Sequence, residues 1–160
     1  MQPNSSSDPM SNSPELYKLM MHALKQQHSD HLDRYVFPPP VFVAMQGEFL
    51  AYDSQNLVLS VRFPVLERWL NPYGIMQGGM IAAAMDNTIG PLSALVAPAN
   101  VTRHMDLKYS RSVTPQMGHI NIKAYLVERN GPWLNFKVEA SDPQGRRLVR
   151  ATARHWILSS

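Results

Sequence analysis

Hydrophobic spacing along the chain predicts an opening helix, a pair of strands, a second helix and four more strands. Leu16, Leu19, Met20, Ala23 and Leu24 recur at helical spacing behind Ser13 and Pro14, which suit an N-cap and a first helical position. The pattern predicts a helix over 14–32, stopped ahead of Pro38, Pro39 and Pro40. The period then changes. Val41 to Tyr52 reads as a strand, and Leu57, Leu59, Val61 and Phe63, alternating with Val58, Ser60 and Arg62, read as another. Residues 64–73 read as a loop. From Gly78 to Val96 apolar side chains surround nearly the whole helix, so that helix should be buried. Met105, Leu107 and Tyr109 begin a new alternation. Ile120, Ile122, Ala124 and Leu126 continue it, then Leu134, Phe136, Val138 and Ala140, then Val149, Ala151, Ala153 and His155. Asn130-Gly131 and residues 142–145 supply the turns.

Strands that meander in this way imply an antiparallel sheet. One buried helix must be covered on most sides, which a curved sheet can do by wrapping it. The fold class is therefore α+β, with an extra N-terminal helix. The outer edges of such a sheet would be exposed unless paired with a second copy.

Composition narrows the function. A chain of 160 residues is long enough for one domain with its own core. The net charge of +3 is mild, and aromatic residues are not interleaved with the basic ones, which argues against nucleic acid. That charge equally suits an anionic small molecule such as a phosphorylated cofactor. The absence of cysteine excludes disulfides, thiolate metal sites and a Cys nucleophile. His28 and His31 are three apart but have no third ligand nearby in sequence; they read as surface residues, and no metal is expected. His22, His119 and His155 show no partner pattern. Residues 1–13, rich in Ser, Asn and Pro, read as a disordered tail. Neither a signal peptide nor a membrane-length apolar run is evident, so a cytoplasmic protein away from membranes is expected.

The informative stretch is NPYGIMQGGMIAAAMDNTIGPLS, residues 71–93, in which Asp86 stands among apolar neighbours behind the pair Gly78-Gly79. Asn71, Gly74, Gln77-Gly78-Gly79 and Asp86, with Asn71 six before Gln77 and Asp86 nine after it, resemble the motif of hotdog-fold acyl-CoA thioesterases. The branch it is most similar to is the phenylacetate-degradation (PaaI-like) thioesterase family. The likeness spans roughly 41–158, so the resemblance implies a tail over 1–13 and a single hotdog domain over 14–160. The family usually has His where Gln77 stands. Glutamine cannot shuttle a proton, but it still offers hydrogen bonds.

The resemblance implies hydrolysis of a thioester to free acid and CoA, with no cofactor beyond the CoA of the substrate. The Gly78 N–H would polarise the carbonyl, helped by Asn71 and Gln77. A helix N-terminus has unpaired N–H groups and a positive dipole end, and Gly78 and Gly79 put no side chain in the way. The plainer reading is that the glycines only allow close packing. Asp86 would attack the thioester or deprotonate a water; the alternative is a structural Asp. Thr102, sixteen after Asp86, is close to where similar enzymes place a helper Ser or Thr, although it reads equally as an ordinary strand residue.

Gly78 and Asp86 are eight positions apart, or about 12 Å along one helix, too far to serve one carbonyl. An antiparallel copy of the helix from a second chain would set one chain's Asp86 beside the other's Gly78. A two-fold homodimer with shared sites follows, with a dimer of dimers left open. Tyr73 and Met76, with Trp69 and Leu70, are candidates for the acyl pocket. Arg103, His104, Lys108 and Arg111 are candidates for the CoA phosphates, and each reads equally as solvated surface. Two other functions fit the same motif: a non-catalytic acyl-CoA-binding module, which Gln77 would favour, and a hotdog-fold hydratase or dehydratase, which the missing His disfavours.

Overall fold

The computed structural model describes residues 13–159. The expected disordered tail lies outside these residues except for Ser13. Ser13 caps helix α1 (Pro14–His28), its side chain accepting the Leu16 N–H at 3.3 Å. A short helix α2 (Pro40–Ala44) precedes strands β1 (Glu48–Asp53) and β2 (Val58–Pro64). The long helix α3 (Gly78–Val96) follows, then β3 (Asn100–Tyr109), β4 (His119–Asn130), β5 (Trp133–Ser141) and β6 (Arg147–Ile157). The six strands form one antiparallel sheet in the order β1-β2-β4-β5-β6-β3, so β1 and β3 are its edges.

The strands obey the alternation read from the sequence because one face of the sheet packs on α3. Leu59, Val61, Phe63, Ile120, Ile122, Ala124, Val138 and Ala153 are buried on that face, against Ile81, Ala84, Met85, Ile89 and Leu92 of the helix. At about 25 cal/mol per Å² of apolar surface, this shared core is the main force holding helix and sheet together.

Three expectations need correction. Helix α1 stops at His28 rather than near residue 32, and Leu32–Arg34 forms a separate 3-10 turn. The chain turns there because His28 is buried, not on the surface. Its Nε2 lies 2.8 Å from the Ala94 carbonyl of α3, to which it donates, and its ring packs on Tyr35 at 4.0 Å. The strand expected from Val41 begins only at Glu48, since Pro40 starts α2 as a first-turn proline. Helix α3 is covered on most sides, as expected, and one side stays open. Gly79 is exposed, and Ala82, Ala83, Asp86 and Gly90 are half-buried along one side of the helix.

Gly47, between α2 and β1, has a steric reason. A Cβ there would come within 2.6 Å of Phe42, a fully buried ring stacked on Phe49 at 4.3 Å and set edge-on to Phe63. Gly47→Ala should therefore cost about 1–3 kcal/mol through overpacking. Thermal unfolding would register this as a drop in Tm of several degrees. An unchanged Tm would mean that the ring relocates without penalty.

Candidate active site

The N-terminus of α3 and its middle each open on a cleft. At the N-terminus Gln77 is the N-cap residue; its carbonyl accepts the N–H groups of Met80 and Ile81, at 2.8 and 3.2 Å. Gly78 and Gly79 are the first two helical residues, so helical geometry gives their N–H groups no acceptor, and none occurs among the described residues. The Tyr109 hydroxyl donates to the Gly78 carbonyl at 2.8 Å, fastening the first turn of α3 to β3. Burial pushes the Tyr109 phenol above its ordinary pKa, so it remains a donor through the neutral range.

Asn71 shapes the loop ahead of the helix. Its Oδ1 accepts the N–H groups of Tyr73 and Ile75, at 2.9 and 3.3 Å, closing a turn in which Gly74 takes a positive φ of 73°. Asn71 Nδ2 has no partner among the described residues. Asn71, Met76, Gly78, Ile81, Tyr109 and Arg111 line a cleft of about 300 Å³. The Gln77 side chain is exposed and caps nothing. Tyr73, a candidate pocket residue, is 88 % exposed at the tip of its turn, whereas Met76 is buried.

The second cleft, of about 400 Å³, lies beside Asp86. Its walls include Tyr35, Phe37, Asn87, Gly90, Asn100, Thr102 and His155. Pro91, inside α3, also lines it; lacking an N–H, it leaves the Asn87 carbonyl without its helical donor. Asp86 is half-buried here rather than sealed in the core. Thr102 Oγ1 is 3.1 Å from Asp86 Oδ1 and also 3.1 Å from His155 Nε2. His155 Nδ1 lies 2.8 Å from Asn100 Oδ1, and the Asn100 amide in turn donates to the Pro98 carbonyl at 2.8 Å. His155 is almost fully buried, with Phe136 against its ring at 5.0 Å. Burial pushes its pKa below the ordinary value, and the Asp86 charge opposes that.

A β-bulge assembles this group. Thr102 pairs with His155 and His104 pairs with Arg154, so Arg103 is an extra residue on β3. Regular alternation would put Thr102 on the outer face with His104, Asp106 and Lys108. The bulge reverses the phase and turns Thr102 toward α3.

Of the residues expected to act together, Asp86 and Thr102 meet in one cleft, and Asn71 and Gly78 share the other. Gly79 is exposed at the helix start. Arg103, His104 and Lys108 are exposed along edge strand β3, and Arg111 borders the Gly78 cleft. Among the described residues no three His, Cys, Asp or Glu side chains gather as a metal-binding group. No described helix is long and apolar enough to cross a membrane. His155, Asn100 and Tyr109 were not singled out from the sequence. The available signal for His155 was its place on the inward, otherwise apolar face of the last strand, where a buried imidazole requires partners.

Known structures share this architecture. The E. coli PaaI protein from the phenylacetic acid degradation operon superposes with a TM-score of 0.73 at 13 % identity, covering 88 % of this chain and 97 % of its own. The chain has the hotdog fold. A phenylacetic acid degradation-related protein from Ralstonia eutropha JMP134 gives a TM-score of 0.71 at 24 % identity, over 82 % of this chain and all of its own. A Streptococcus pneumoniae TIGR4 protein named as a hypothetical thioesterase gives 0.65 at 19 % identity, over 71 % of this chain and 92 % of its own. Structures of that protein carry alanine in place of an aspartate and, separately, of a threonine sixteen positions later. No family model matches the sequence, and no curated protein matches it. The structural neighbours of this hotdog chain are thus PaaI-like proteins, some of them named as thioesterases.

Proposed function

We propose that this protein is an acyl-CoA thioesterase whose two half-sites, the Gly78 cleft and the Asp86 cleft, are joined across a two-fold homodimer. The observation that carries the reading is a separation. Unpaired N–H groups at the start of α3 and a hydrogen-bonded carboxylate at its middle open on different clefts, eight residues apart on one helix. In an antiparallel pair of α3 helices the half-exposed side bearing Gly79, Ala82, Ala83, Asp86 and Gly90 is small enough for close approach. Edge strand β3 supplies unpaired backbone groups that a second copy can complete.

The chemistry follows from the parts. The thioester carbonyl binds at the Gly78 N–H, with Asn71 Nδ2 nearby as a second donor and the helix dipole favouring the developing oxyanion. The partner's carboxylate at position 86 takes a proton from water, whose oxygen bonds to the carbonyl carbon. Collapse of the oxyanion breaks the C–S bond, and the CoA sulfur leaves with a proton. Thr102 holds Asp86 Oδ1, while Oδ2 has no partner among the described residues and is available to the water. The aspartate-to-threonine interval of sixteen, shared with the altered positions of the pneumococcal protein, supports pairing these two residues in one task. Arg111 beside the Gly78 cleft and Arg103, His104 and Lys108 on β3 are the cations available to CoA phosphates. Arg146 is less so, since it pairs with Asp142 at 2.6 Å.

The test is a panel of acyl-CoAs with a thiol-trapping dye. Release of free thiol above background, accompanied by free acid, is the expected result. Binding of acyl-CoA with no thiol release would point to a sequestering module. Hydration of an enoyl-CoA double bond would move the protein to another reaction class.

A further inference from the structure

The Asp86–Thr102–His155–Asn100 chain has a proton count that its geometry fixes. The Asn100 amide donates through Nδ2 to the Pro98 carbonyl, so Oδ1 is the atom that meets His155 Nδ1, and that nitrogen must carry the hydrogen. Nε2 of a neutral imidazole is then a bare acceptor facing Thr102 Oγ1. Thr102 owns one hydroxyl proton but has two acceptors at 3.1 Å, Asp86 Oδ1 and His155 Nε2. With the carboxylate charged and the imidazole neutral, one of the two gaps must hold opposing lone pairs. A single added proton removes the conflict. On Asp86, it lets the acid donate to Thr102 and Thr102 donate to His155. On His155, it lets the imidazolium donate to Thr102 and Thr102 donate to Asp86.

On the thioesterase reading above, we propose that His155 is a positioning residue that acts through Thr102, sharing the proton Asp86 draws from the attacking water. The O–H bond of the water breaks as its oxygen joins the thioester carbon. The proton arrives on Asp86, and the Thr102 hydroxyl turns or passes its own proton to Nε2. When the C–S bond breaks, the proton returns by the same route and leaves through Asp86 to the thiolate. No other reactant is needed beyond water and thioester. Burial keeps the His155 imidazole neutral at rest, so the relay begins one proton short and takes one up at the moment of attack. The groups facing His155 are few. From α3 there is Asp86, from β3 Asn100 and Thr102, from β5 Phe136 and Leu134, and across the cleft Tyr35. Arg154 sits on the opposite side of β6, over the Trp133 ring at 4.2 Å.

Two measurements test this. The first needs no turnover. Imidazole ¹⁵N spectra of the wild-type protein, with the His155 signals assigned by their loss in His155→Gln or, failing that, by contact with Phe136, should show Nδ1 protonated and Nε2 bare at neutral pH. Asp86→Asn should lower the pH at which that ring takes up a proton. The opposite tautomer, or a titration blind to Asp86, overturns the relay. The second is the pH dependence of kcat in His155→Gln, whose amide can still bond Thr102 but cannot hold an added proton. The expected result is a fall in kcat of about tenfold or more at nearly constant KM. The acidic limb should also move to lower pH, because the relay loses one of the two places its added proton can occupy. A lower kcat with an unmoved limb would show a merely structural histidine. Absence of wild-type turnover with every acyl-CoA would instead sink the thioesterase reading, and the spectra would still decide the tautomer.

Discussion

Asp86→Asn should reduce kcat for acyl-CoA hydrolysis by about two to four orders of magnitude, the usual contribution of a positioned general base. The replacement is nearly isosteric, and its amide oxygen can still accept the Thr102 hydroxyl, so the hydrogen bond at 3.1 Å survives in form. What is lost is the ability to take a proton from water. Asp86 is half-buried rather than at the centre of the core, so the unfolding midpoint should stay within a few degrees of wild type. Rates from thiol release and Tm from thermal unfolding, measured on the same preparation, separate the two effects. Retention of more than a tenth of the wild-type rate would remove Asp86 from the chemistry.

The second large effect distinguishes a shared site from one contained in each chain. Gly78→Pro deletes the N–H at the first helical position, where a proline costs the helix no hydrogen bond, and Gln77 before it already has an extended backbone with ψ of 131°. The nearest atoms to a Cβ at residue 78 belong to the Tyr109 side chain, at an ordinary 3.5 Å. The helix should persist while the oxyanion loses a donor, lowering kcat by roughly 10²–10³. Asp86→Asn and Gly78→Pro chains can then be unfolded together and refolded in equal amounts. In a heterodimer, one site joins the two intact halves and the other joins the two damaged ones. Activity should recover to about a quarter of the wild-type value for the mixture, since about half the dimers are mixed and each has one working site. If Gly78 and Asp86 of one chain served the same carbonyl, mixing would restore nothing. Equilibrium sedimentation of the wild-type protein gives the companion result: a protein that remains monomeric at assay concentration removes the basis for both expectations.

These outcomes depend on features of unequal legibility. The bounds of α3 were readable because Gly78-Gly79 opens a segment of helical length whose apolar side chains lie nearly all round the helix. The interiors of β2 to β6 were readable because a sheet with one buried face imposes a period of two. The start of β1 was not. Val41, Phe42 and Val43 satisfy a strand pattern as well as a helical one, and only burial of Phe42 against Phe49 and Phe63 resolves the choice in favour of a short helix. The end of α1 was missed for a related reason. It is set by His28 docking on the Ala94 carbonyl, 66 positions away.

At the site, the local sequence determined the helix start with its free N–H groups, the carboxylate two turns on, and the distance that prevents one chain from using both. All three are properties of a single helix, whose rise per residue is fixed by backbone geometry. Tertiary structure alone decided which side chains surround Asp86. Thr102 reaches it through the bulge at Arg103, and His155 reaches Thr102 through the pairing register of β3 with β6, 53 positions apart. Register is set by how whole strands bury their apolar faces, and one inserted residue reverses it, so no local pattern records which residues it brings together.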